Sequence, residues 1–192
     1  MKQEIEIEFK NLITEKEFRT LCEKFSITEK DFKYQINHYF DTEDFSLKNH
    51  QSALRIREKN HSFTLTLKQP HNEGLLETHE ELTEAEAQSI ISNDKSINGS
   101  ISNILQKDFD ISANQLISFG SLATKRAEIN YKGGILVLDH SSYLGNEDFE
   151  LEYEVTDFST GKEYFDNLLQ SLNIPHRKTD NKIKRFYNAK FK

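Results

Sequence analysis

The feature that most constrains this chain is a two-residue alternation of charged and apolar side chains that returns along most of its length. Near the start, Glu4, Glu6, Glu8 and Lys10 interleave with Ile5, Ile7 and Phe9. Arg55 and Arg57 interleave with Leu54 and Ile56, and Thr64, Thr66 and Lys68 with Phe63, Leu65 and Leu67. Arg126 and Glu128 interleave with Ala127 and Ile129, and Glu150, Glu152 and Glu154 with Phe149, Leu151, Tyr153 and Val155. Successive side chains of a strand point to opposite faces, so each segment reads as a β-strand with one charged and one apolar face.

Further strand patterns run over 35–40, 75–82 and 135–140, with a hairpin turn at Lys132-Gly133-Gly134 and another turn across 141–148. Helices interrupt them. Thr14 and Glu17 have capping-box spacing ahead of Phe18, Leu21 and Phe25, and Thr83 and Glu86 stand ahead of Ala87, Ile90 and Ile91. Ser112 and Gln115 start a short helix, and 160–172 is amphipathic. Sequential hairpin-linked strands predict a mainly antiparallel sheet. The expected fold is α+β: a closed eight-stranded antiparallel barrel with helices packed outside, as one domain over 1–192.

A single strand with a charged solvent face is ordinary. Here the charged faces recur on several strands, and the amphipathic helices can cover the apolar faces from outside. The charged faces then point into the barrel. Hydrophobic residues make up only 35% of the chain while aromatics reach 11%, which fits a folded protein with charges in its interior better than a disordered one. Lys and Arg total 25 against 32 Asp and Glu, a net charge of −7, which argues against broad nucleic-acid binding. The longest aliphatic run, 135–138, is too short to span a bilayer, and the opening residues hold no apolar signal core. The single cysteine, Cys22, allows no internal disulfide and is expected to be buried on the first helix. A cytoplasmic protein, monomeric or homodimeric, with no membrane or nucleic-acid partner, is the expectation.

Carboxylates two apart on a strand lie roughly 6–7 Å from each other. At an effective dielectric near 20 they repel by on the order of 2–3 kcal/mol. Two such pairs brought together either raise their pKa values or need a cation, and oxygen-only ligands point to hard divalent ions, Mg²⁺ or Mn²⁺. The arginines and lysines on the other strands need anions. A triphosphate beside the metal satisfies both, and the guanidinium fork matches phosphate oxygens.

The ordered set of segments resembles the CYTH domain, the triphosphate tunnel metalloenzymes. Glu6-Ile7-Glu8-Phe9-Lys10 is similar to its ExExK opening. Tyr39-Phe40-Asp41-Thr42 with 53–57, then Leu67-Lys68, Lys125-Arg126, 138–140, Glu150-Leu151-Glu152 and 181–185 resemble its later blocks, from residue 4 to about 186. The resemblance implies a tunnel open at both ends that hydrolyses or cyclises triphosphates. It implies metal-site roles for Glu6, Glu8, Asp139, Glu150 and Glu152. It implies phosphate contacts at Lys10, Arg55, Arg57, Lys68, Arg126 and Lys182, and at one of the adjacent pair Lys184 and Arg185 if that segment alternates. Glu6, Glu8 or Lys10 would handle the proton. Many family members carry Arg-x-Glu on a middle strand, whereas here Glu77, His79 and Glu81 share that face.

Inorganic tripolyphosphate needs only phosphate contacts. A nucleoside or thiamine triphosphate, or an adenylate cyclase of the class IV type, needs a seat for the base or ring, for which Phe40, Tyr34 and Tyr143 are the candidates. A non-catalytic polyphosphate or nucleotide sensor would have less use for so many carboxylates. A lipocalin-like barrel would require Ile5, Ile7 and Phe9 to point inward. The seven histidines show no zinc spacing, and Gly133-Gly134 is a turn with no Walker pattern after it.

Overall fold

The computed structural model describes residues 1–72 and 74–191. Eight strands form a closed antiparallel barrel in the order β1-β5-β4-β3-β2-β6-β7-β8. They are β1 (Lys2–Ile13), β2 (Lys33–Thr42), β3 (Ala53–Lys59), β4 (Ser62–His71), β5 (Gly74–Leu82), β6 (Leu116–Tyr131), β7 (Gly134–Tyr143) and β8 (Asn146–Val155). Six α-helices accompany them among the described residues: α1 (Glu15–Phe25), α2 (Ser46–Asn49), α3 (Glu84–Ile91), α4 (Ser100–Phe109), α5 (Phe158–Ser171) and α6 (Lys182–Lys190). Contacts divide the chain into two compact units, one of residues 1–5 and 35–122, the other of 6–34 and the chain from 123 onward.

In the first unit, tight hairpins set the register. Asn60 and His61 both take positive φ, as a two-residue turn between right-twisted strands requires. Arg55 pairs with Thr66 and Arg57 with Thr64 across β3–β4, and Thr66 pairs with His79 and Lys68 with Glu77 across β4–β5. That register collects Arg55, Arg57, Thr64, Thr66, Lys68, Glu77, His79 and Glu81 on one face. The opposite face carries Phe40, Leu54, Ile56, Phe63, Leu65 and Leu67, sealed by Leu47 of α2, Ala87 and Ile90 of α3, and Ile101 and Leu105 of α4.

The second unit repeats the plan. Across β1–β8, Glu8 pairs with Glu154 and Lys10 with Glu152; across β7–β8, Asp139 pairs with Glu150; across β6–β7, Arg126 pairs with Asp139. The apolar face, with Ala127, Leu136, Leu138, Leu151 and Tyr153, packs on Phe18 and Leu21 of α1 and on Phe165, Leu168 and Leu169 of α5. Phe9 lies against Phe158 and Phe165, with ring centroids 5.1 and 5.9 Å apart. Its side is therefore the helix-covered one, and the lipocalin-like alternation does not hold. The predicted turn at 132–134 is a hairpin, with Lys132 and Gly133 both at positive φ. Cys22 is half-buried at the edge of this core rather than enclosed, and burial pushes its thiol up, away from a reactive thiolate.

Candidate metal and phosphate site

Strands β7 and β8 bring Asp139, Glu150 and Glu152 together so that one carboxylate oxygen from each lies within 4.8 Å of the others, all three buried. Like charges this close are relieved by cations or by taking up a proton. The Lys182 Nζ is 2.6 Å from Glu150 Oε1, 2.6 Å from Glu152 Oε1 and 2.8 Å from Asp139 Oδ2. Arg126 binds Asp139 with both prongs, its Nε donating at 2.8 Å and its Nη2 at 2.6 Å, and that Nη2 also reaches Glu152 at 2.6 Å. Arg185 lies 2.5 Å from Glu150 through Nη1 and donates from Nε to Asp148 at 2.9 Å. Tyr143 donates its hydroxyl to the same Asp148 at 2.8 Å.

The protonation states follow from that competition. Burial alone would raise Glu152, but Lys182 and Arg126 outweigh it and hold the carboxyl well below its ordinary value. Burial likewise works against Asp139, and Arg126 and Lys182 bring it down. Glu150 goes the other way: burial, reinforced by Glu152, pushes it up to about 7 against Lys182 and Arg185. Burial opposes the charge on Lys182, yet the three carboxylates raise it well above the usual ammonium. Lys10, ion-paired with Glu8, is raised by Glu8 and Glu152 despite its burial.

Glu154 belongs to the same cluster. It lies 3.8 Å from Arg126 Nη1, and burial, with Glu6, Glu152 and Glu8 nearby, lifts it to about 7. On this face the carboxylates Glu6, Glu8, Glu128, Asp139, Asp148, Glu150, Glu152 and Glu154 outnumber the cations Lys10, Arg126, Lys182 and Arg185. The all-oxygen donor set and its surplus of negative charge fit a hard divalent cation.

The closing basic segment is a correction. It is not an alternating strand but the first turn of α6, capped by Asn181, whose side chain accepts from the Lys184 amide at 2.9 Å. Helical spacing puts Lys182 and Arg185 on one face, and both reach the carboxylates. Lys184 turns away, half-exposed, and pairs with Asp180 at 2.8 Å.

In the first unit, the Nε of Arg55 is buried without a hydrogen-bond partner, an orphaned donor of the kind an anion would satisfy. Arg57 donates to Asn37 at 3.3 Å, and Lys68 is ion-paired with Glu77. Phe40 is 1% exposed within the apolar core, on the face away from these cations, so it offers no seat to a nucleobase.

The CYTH domain profile matches residues 4–187. The chain is 48% identical to "Putative triphosphatase YjbK" of Bacillus subtilis (strain 168), over 100% of its own length and 99% of that protein's. The crystal structure of "a putative adenylate cyclase" from Bacillus halodurans superposes with a TM-score of 0.93 at 48% identity, covering 97% of this chain and 100% of that one. The "Putative adenylyl cyclase HpAC1" from Hippeastrum, described as having a dominant triphosphatase activity, superposes at 0.82 with 25% identity over 96% of both chains. The fold, the ordered motifs and these matches place the chain in the CYTH domain family.

Proposed function

We propose that this protein hydrolyses a triphosphate, inorganic tripolyphosphate in the first place, with the help of a divalent metal ion. The observation that carries the reading is the buried triad Asp139, Glu150 and Glu152, interleaved with Arg126 and Lys182. Asp139, Glu150 and Glu152, with Glu6 and Glu8, are the residues to hold Mg²⁺ or Mn²⁺. A cation there supplies charge neutralisation and lowers the pKa of an attacking water.

The chain's own groups do the rest. Arg55, Arg57, Lys68, Arg126 and Arg185 are assigned to the phosphate oxygens, where fixed positive charge stabilises the loose transition state of phosphoryl transfer. Lys182 bridges the three carboxylates, and were they to hold a metal ion its ammonium would be available to phosphate. The ion-paired Lys10 and Glu8, or Glu6, handle the proton of the attacking water. Lys184 drops out of this set.

Hydrolysis is favoured over cyclisation by two points. Of the three aromatic candidates, Phe40 is enclosed in the core, Tyr143 is committed to Asp148, and Tyr34 lies exposed near the start of β2. In addition, the Hippeastrum relative that carries the cyclase label is described by its triphosphatase activity. The test is to incubate the protein with tripolyphosphate, ATP or thiamine triphosphate and Mg²⁺ or Mn²⁺, and to measure phosphate and cyclic AMP. Phosphate release from tripolyphosphate that stops with a chelator is expected. Glu150→Gln should lower it on the order of a hundredfold. No metal-dependent turnover of any of the three would overturn the reading in favour of a binding module.

A further inference from the structure

Strand β5 puts Glu77, His79 and Glu81 on the same face of the first unit as Arg55, Arg57 and Lys68. The arrangement around His79 is specific. Its Nδ1 lies 3.0 Å from the Thr66 hydroxyl. Its Nε2 is buried with no hydrogen-bond partner and lies 3.3 Å from Glu4 Oε1 and 3.4 Å from Glu77 Oε2. A proton on Nε2 finds two carboxylate acceptors; without one, a nitrogen lone pair faces two anions. Glu77, 4% exposed, is at the same time the ion-pair partner of Lys68. One buried carboxylate therefore stands between an ammonium and an imidazole.

On its other side His79 faces open space. A cavity of about 380 Å³ opens at Met1, Lys2, Glu4, Thr64, His79 and Glu81. Lys2 draws Glu4 toward itself at 2.5 Å, so Glu4 is a divided partner for the imidazole. Glu81 is held by the Thr64 hydroxyl at 3.1 Å. On the opposite face of β5, Glu80 is committed to the first amides of α4. Glu77 is thus the carboxylate that protonation of His79 recruits, and Lys68 is the group that loses by it.

We propose that His79 and Lys68 compete for Glu77, so that protonation of the imidazole turns the Lys68 ammonium toward phosphate and tightens triphosphate binding. The inference rests on the triphosphate reading above and adds His79 to it as a pH-sensitive positioning residue. The test follows tripolyphosphate affinity by calorimetry, and KM and kcat by phosphate release at saturating Mn²⁺, from about pH 5.5 to about pH 8. Wild-type protein is compared with His79→Asn and Lys68→Met, each measured well below its own thermal midpoint. The substrate's own ionisation is common to all three and cancels in ratios. The wild-type to His79→Asn ratio of affinities should rise about threefold toward low pH, the size of a modest ion pair. It should appear in KM rather than kcat. Lys68→Met should lose that pH dependence although His79 is intact, which a merely structural histidine would not produce. Parallel profiles for wild type and His79→Asn would overturn the inference while leaving the triphosphatase intact. Absence of tripolyphosphate binding at every pH would instead overturn the reading on which it rests.

Discussion

Replacing Lys182 with methionine tests the charge balance of the second unit directly. The substitution keeps the length of the side chain and removes an ammonium that touches three buried carboxylates at 2.6–2.8 Å. Arg126 and Arg185 remain, but three carboxylates then share two guanidinium groups. Breaking a buried pair by deleting one partner costs about 3–5 kcal/mol, because a charge is left uncompensated. For a chain of this size each kcal/mol moves the thermal midpoint by about 2–4 °C, so metal-free variant should melt about 10 °C below wild type at pH 7. The loss must shrink as pH falls. In wild type, Glu152 and Asp139 are depressed by their cations, so their contribution is present above the ordinary carboxylate range and is lost on acidification. Without Lys182, burial is less opposed, and the carboxylates destabilise above that range until they take up protons. The two melting curves should converge from about pH 7 to about pH 4. Adding Mn²⁺ at pH 7 should raise the variant's midpoint more than the wild type's, since the ion would supply the missing charge. A variant within about 1 kcal/mol of wild type in chelator at pH 7, with no convergence on acidification, would refute the reasoning.

Four further substitutions separate neighbouring roles. Arg185→Ala should raise KM for tripolyphosphate and weaken Mn²⁺ binding in calorimetry. Lys184→Ala, one position away but paired only with half-exposed Asp180, should change neither and shift stability by less than about 0.5 kcal/mol. Glu80→Ala removes the carboxylate that accepts the Ser100 and Ile101 amides at 2.6 and 3.0 Å, and should cost about 1–2 kcal/mol in urea denaturation with turnover unchanged. Arg177→Ala should cost about 1–2 kcal/mol at pH 7, since Arg177 holds Glu17 by two bonds of 2.9 Å and also donates to the Leu12 carbonyl. Glu17 is depressed chiefly by Arg177 and Thr14 against its burial, so that contribution exists above the ordinary carboxylate pKa and disappears as pH falls through the folded value. Denaturation at pH 7 and at about pH 3.5 should show the difference closing.

What could be read from the sequence is what depends on local periodicity. Alternation fixed which side chains share a face, and capping boxes marked the starts of α1 and α3, where Thr14 and Thr83 do accept from Glu17 and Glu86 amides. The elements that escaped are those whose ends are satisfied by distant residues. Helix α4 begins after Gly99, which has no side chain to cap it; Glu80 does so from β5. Helix α2 is held by Asp41, whose carboxylate accepts the Leu47 and Lys48 amides at 2.8 and 3.1 Å. Helix α6 was legible but misread: Asn181 is an N-cap signal, and a run of lysine and arginine hides the apolar spacing of Ile183, Phe186 and Tyr187. The Glu77–His79–Glu4 arrangement was out of reach for a different reason, since it depends on where the end of β1 meets β5.

The division of labour between the two faces of each strand has a consequence for how this fold tolerates change. Each unit draws its apolar core from the helix-covered face of its strands and the helices over it, with thirteen buried side chains among the described residues in either case. The charged face contributes little net stability, because the desolvation of its carboxylates offsets their attraction to the cations. Substitutions on the two faces should therefore separate. Ile56→Ala, in the core of the first unit and flanked on its strand by Arg55 and Arg57, should cost about 2–5 kcal/mol as cavity and lost burial, with KM for tripolyphosphate little changed below the melting range. Arg57→Ala, the next residue along, should raise KM and leave the thermal midpoint within a few degrees. The reverse pattern, stability lost with Arg57 and affinity lost with Ile56, would mean that the charged face holds the barrel together and that its cations are not there for a ligand.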